Sequence, residues 1–200
     1  MKKIISAIVL LVILCTLSSC GTAEAAVTEP IEPAEIKTVA PPENGWTIEE
    51  LANTIYFNGQ SIKLPLKIKD LGDKYDVNKD DIYFLGTSAT VPLTYDNEII
   101  AVLTLENCLK LDDVYDSNVS VIILSSLVVD ENSNECVMIN GLSLSGNKND
   151  AISCLGEPTK TDVAGNSGVL IYNIKETEDC LMTVHYNEKD ELTNIYVHIK

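Results

Sequence analysis

"INGLSLSGNKNDAISCLGEP", Ile139 to Pro158, decides how the second half of the chain folds. Val137 to Ile139 is a short apolar run, and Asn140-Gly141 is a turn signal. Asn147 suits a helix N-cap, and Asp150 puts negative charge in the first turn, where the helix dipole favours it. Ala151, Ile152 and Leu155 share one helical face. Gly156 suits the left-handed C-terminal position, and Pro158 blocks continuation. The stretch therefore predicts a helix of about two turns between two turns. Its asparagines, aspartate and cysteine would also serve a ligand loop. Each of them except Cys154 has a structural reading.

Strand signals follow: "GVLIYNI" (168–174), "CLMTVHYNE" (180–188) and "ELTNIYVHIK" (191–200). Met182, Val184 and Tyr186 alternate with Thr183 and His185. Ile195, Val197 and Ile199 alternate with Asn194, Tyr196 and His198. "NEKD" (187–190) is a tight polar connection. The prediction is a helix, then a three-stranded antiparallel meander with one buried and one wetter face.

The first half echoes this order. Phe57-Asn58-Gly59 matches Ile139-Asn140-Gly141, Pro65 suits the start of a helix, and Leu64, Ile68 and Leu71 share a face ending at Gly72. "TVPLTY", "EIIAVLTLEN" and "NVSVIILSS" read as three more strands, and Thr47 to Glu50 is a T-x-x-E capping box opening an earlier helix. The expected class is α+β. Two tandem repeats, 45–130 and 131–200, each carry a short helix and an antiparallel meander of three to four strands, with the helices packed on one sheet face.

The chain begins with Lys2-Lys3, an apolar run from Ile4 to Leu17, then Leu17-Ser18-Ser19-Cys20-Gly21. The apolar run is short for a span, which needs about 20 residues, and has the layout of a secretory signal. The end resembles the lipobox of bacterial lipoproteins. That resemblance implies removal of residues 1–19, lipidation at Cys20, and a protein held by its lipid on the extracytoplasmic side of a cell membrane. Residues 20–44 are then the anchor and a tether. Segment 21–44 is rich in Ala, Glu, Thr and Pro without aromatics, so it reads as disordered.

A second resemblance rests on Gly141, Ile152, Leu155, Gly156, Pro158 and Tyr172: a Gly turn, a short helix ending L-G-x-P, and a meander. This layout is similar to the tandem-repeat β-lactamase inhibitor protein fold and to SmpA/OmlA outer-membrane lipoproteins. In the first half only Gly59, Leu71 and Gly72 correspond, and Asp73 stands in place of the proline. The resemblance implies a binding or assembly role on an envelope surface.

Fourteen basic against 30 acidic side chains give a charge of −16. Loss of Lys2 and Lys3 with the signal makes it −18. Such a surface argues against nucleic acid, whose phosphates need cationic partners. Besides Cys15 and Cys20 there are Cys108, Cys136, Cys154 and Cys180, without any C-x-x-C. Zinc is thus disfavoured, while disulfides of unknown pairing and free buried thiols both stay open. "DVNKDD" places Asp76, Asn78 and Asp80 at alternate positions, as a calcium loop does, but Asp81 and Thr87 stand where Gly and Glu belong. His185 and His198 fall some 20 Å apart if the hairpin register sets His198 near Asp179. No nucleophile elbow, phosphate loop or H-E-x-x-H motif occurs, and no cofactor is implied. Tyr196 is the aromatic on the polar side of its strand and the candidate for a binding face.

The reading is an envelope lipoprotein, non-enzymatic, that binds an envelope protein or surface polymer. The alternatives are a hydrolase or transferase using surface carboxylates, and a solute-binding lipoprotein.

Overall fold

The computed structural model of the chain describes residues 36–174 and 180–200. All belong to the unit Pro33–Lys200; the unit Met1–Glu32, with Cys20 and the segment read above as a signal, lies outside them.

Thr47 and Glu50 close the expected capping box, with Thr47 Oγ1 accepting from Glu50 N and Glu50 accepting from Thr47 N. Helix α1 (Ile48–Ala52) follows and buries Leu51 and Ala52. Strand β1 (Ile55–Phe57) is buried at all three positions. A turn at Asn58 and Gly59, both at positive φ, leads to β2 (Gln60–Ser61). Strand β8 (Val137–Ile139) pairs antiparallel with β1, Tyr56 opposite Met138. The two Asn-Gly stretches thus lie side by side in one small sheet, ordered β2-β1-β8. Helix α2 (Lys148–Leu155) forms with Asn147 as N-cap, Asp150 returning the capping bond, and Gly156 at φ 88°.

The helix expected from Leu64 to Leu71 is absent. Only a single 3-10 turn, Ile68–Asp70, forms there, and Lys67 before it is extended. Leu64 is exposed while Leu66 is buried. In Ile62-Lys63-Leu64-Pro65-Leu66-Lys67-Ile68 the apolar residues also recur every second position, and burial follows that period at Ile62, Leu66 and Ile68 but not at Leu64.

Strands β3 (Tyr75–Val77), β4 (Tyr83–Leu85), β5 (Ser88–Tyr95), β6 (Glu98–Glu106), β7 (Asn118–Ser125), β9 (Lys160–Ala164), β10 (Ser167–Asn173), β11 (Cys180–Tyr186) and β12 (Leu192–His198) form one nine-stranded antiparallel sheet. Its order is β3-β5-β6-β7-β12-β11-β10-β9, with β4 also on β5. The expected α+β class with two helix-plus-meander repeats is therefore corrected. Among the described residues the protein is mostly β, 42% strand against 16% helical, and nine strands from both halves join one continuous sheet. The seam is β7 against β12, with Ile123 opposite Tyr196. Each of these strands would otherwise end a meander with an unpaired apolar edge, and pairing them satisfies both.

One face of the sheet is fully buried: Leu103, Ile122, Val184, Ile195 and Val197 have no exposure. These residues share a single core cluster with Leu51, Ile55, Phe57, Ile139 and Leu155 from the helices and the small sheet.

Residues 37–46 form a strap held on that second layer. Lys37 N donates to Tyr56 Oη at 3.1 Å. Val39 N donates to Asn140 Oδ1 at 2.8 Å, and Asn140 Nδ2 donates to the carbonyls of Val39 and Cys154 at 2.9 and 2.5 Å. Buried Trp46 donates its indole N–H to Leu155 O. A Cβ on Gly141 would come within 2.9 Å of Thr38 Cγ2, and one on Gly156 equally close to Pro41 Cβ. The tether read over 20–44 is thus seated on the domain from residue 37 onward, and residues 20–35 lie outside the described ones.

Candidate functional site

The long strands carry almost no charge. β5, β7, β10, β11 and β12 contain no Asp, Glu, Lys or Arg, and β6 has only its terminal Glu98 and Glu106. On the buried face this is expected. On the outward face the polar positions are filled by Thr, Ser, Asn and His, where a chain this acidic would ordinarily also place carboxylates.

Register places the outward residues in rows. Val102, Ile123, Tyr196, Thr183 and Ile171 stand side by side across five strands, and the row ends on β5 at buried Pro92. A second row runs Thr90, Thr104, Val121, His198. A third contains Ser125, Asn194, His185 and Val169. Tyr196 stands near the centre, 36% exposed, and Val102, Val121, Ile123, Val169 and Ile171 are all half-buried. Ion pairs occupy the periphery. Lys160 pairs with Asp162 on edge strand β9 at 2.7 Å, and Lys200, past the end of β12, pairs with Glu106 at the end of β6.

Both histidines of the chain belong to this face. Met182 stands opposite Val197, so His198 lies beside Leu181, two residues from the expected Asp179. His185 is four residues along β11, about 14 Å away at strand rise, with Tyr196 between them. The His185 and Tyr196 rings are 5.8 Å apart and tilted, and His185 Nε2 is 3.4 Å from Thr183 Oγ1. Burial pushes the His185 pKa below its ordinary 6.5, so the ring is neutral at pH 7. Beside it opens a recess of about 460 Å³ lined by Asp162, Val169, His185, Asn187 and Thr193.

The other residues singled out in the sequence do not join this face. Asp76 accepts from the Tyr115 hydroxyl and from Val77 N; Asn78 caps a 3-10 turn at Asp80 N. Among the described residues no group of three His, Cys, Asp or Glu side chains is placed to hold a metal. Cys108, Cys136 and Cys154 carry free thiols, and burial pushes each pKa up, away from the reactive thiolate. Cys180 opens β11, and its side chain lies outside the described residues, as does Cys20. Two carboxyls are held below the usual range: Asp76 by the Tyr115 hydroxyl, Asp116 by its hydrogen bond and charge contact with Lys69 at 2.5 Å. A general acid needs the opposite shift.

Tyr196 was legible as an outward aromatic. Its neighbours Val102, Val121 and Ile123 were not, because nothing local joins β7 to β12. The usable signal was the absence of charge from five separate strand segments. No helix among the described residues is long and apolar enough to cross a membrane. No family model, curated protein or solved structure matches the chain.

Proposed function

We propose that the chain is an envelope lipoprotein, anchored through Cys20, that acts as a binding module and docks another protein on its outward sheet face around Tyr196. The observation that carries this reading is the lack of charge across that face, in a chain with a formal charge of −16. Five strands at about 4.8 Å spacing make the accessible central row about 19 Å wide. That width suits the surface of a protein better than a small solute. The half-exposed tyrosine at its centre, among β-branched neighbours, has the composition of an interface centre.

A photo-crosslinking residue at position 196, introduced in cells, should capture one envelope protein. The same residue at exposed Lys63 should not capture it. With that protein purified, Tyr196→Ala should weaken binding about tenfold or more. Its melting temperature should be unchanged, because the ring lies on the outward side. A polysaccharide adduct would replace the protein partner with a polymer. Turnover of an envelope substrate by the purified chain, without any adduct at 196, would overturn the binding reading in favour of an enzyme. For the anchor, Cys20→Ala should move the protein from the membrane fraction to the soluble one; retention on membranes would refute lipidation at that residue.

A further inference from the structure

We propose that the β4 hairpin is a second docking surface, for an extended apolar segment of a partner protein flanked by lysine or arginine. Tyr83, Phe84 and Leu85 are 78%, 43% and 83% exposed, three large apolar side chains in succession. Tyr83 stands opposite Thr90 and Leu85 opposite Ser88, so both project on the outward side, while Phe84 lies opposite buried Ala89. The chain leaving β6 returns alongside: Cys108 N donates to Thr87 O at 3.1 Å, in the turn of the hairpin. This brings exposed Leu109 to the same corner, with exposed Leu111 two residues on. Apolar side chains gathered in this way mark interaction surfaces more often than scattered ones do.

Two further features define the occupant. β4 pairs only with β5 among the described residues, which leaves its outer backbone edge open to a strand from another chain. Asp80 and Asp81 precede β4, and Asp112 and Asp113 follow Leu111, against Lys79 and Lys110. Lys79 lies over the Tyr115 ring and Lys110 is 3.7 Å from Asp112, and the four acids against two bases leave a net negative rim. A second copy of this acidic chain, or an anionic lipid surface, meets net repulsion at such a rim. A cationic segment with apolar side chains is complementary to both the rim and the strip.

The proposal does not depend on the Tyr196 face, and the test separates the two. A photo-crosslinking residue replaces Leu85 in the full-length chain in its native envelope. The adduct is mapped, and a synthetic peptide of the captured segment is titrated against the purified protein. The expected segment carries Lys or Arg beside apolar residues, and its affinity falls as salt rises. Tyr83→Ser with Leu85→Ser should weaken the peptide at least tenfold, whereas Tyr196→Ala leaves it unchanged. Asp80→Asn with Asp112→Asn keeps the apolar strip and should flatten the salt dependence, which covers the case in which the first pair misfolds. No adduct, an adduct to lipid, an adduct to a second copy, or a peptide whose binding ignores both variant pairs would overturn the proposal.

Discussion

Asn140 shows how much a single amide can hold. In sequence it is half of an Asn-Gly turn, and it does take positive φ there. Its side chain also makes three hydrogen bonds, two to the strap at Val39 and one to Cys154 O. No local pattern announces a partner 101 residues away. Asn140→Ala removes all three, and we expect a loss of roughly 1–3 kcal/mol in chemical denaturation. Limited proteolysis should then cut the variant between residues 37 and 45 faster than the unsubstituted chain. His185 gives a residue-scale prediction in pH. Burial lowers its pKa in the folded chain below 6.5, so the unfolded chain takes up the proton first as pH falls. Stability present above pH 6.5 should decline below it and level off beneath the folded pKa. His185→Gln should remove that part of the pH slope, and an unchanged slope would contradict the assignment.

At the scale of elements, the sequence was most readable where one local signal stood alone. The caps at Thr47 and Asn147 and the stop at Gly156 are where the residue types put them. The stretch from Leu64 to Leu71 satisfied two periods at once, and the choice between them was made by Leu66 entering the core. The residues on which the family resemblance rested include Gly141 and Gly156, and both lie beneath the strap. Gly156 is constrained twice, by φ 88° and by Pro41 against its missing side chain. Gly156→Ala should cost about 1–3 kcal/mol and loosen the strap as Asn140→Ala does. Deleting residues 36–42 from the Gly156→Ala chain should leave only the backbone part of that cost, read as a smaller drop in melting temperature.

For the whole molecule, the decisive pairing is β7 with β12. The sequence supplied most strands but not this seam, because antiparallel partners from distant segments share no sequence signal beyond apolar alternation. The seam also creates the outward face, since Ile123 and Tyr196 become neighbours only across it. One sheet over one core predicts one cooperative unfolding transition, with calorimetric and van't Hoff enthalpies in agreement. Two resolved transitions, split near residue 130, would argue for separate halves. The strap has a mechanical consequence as well. Tension applied through the N-terminal segment reaches the Tyr56 and Asn140 bonds before it reaches any strand of the large sheet. A few hydrogen bonds would yield first, lengthening the linkage by several residues while the sheet stays whole.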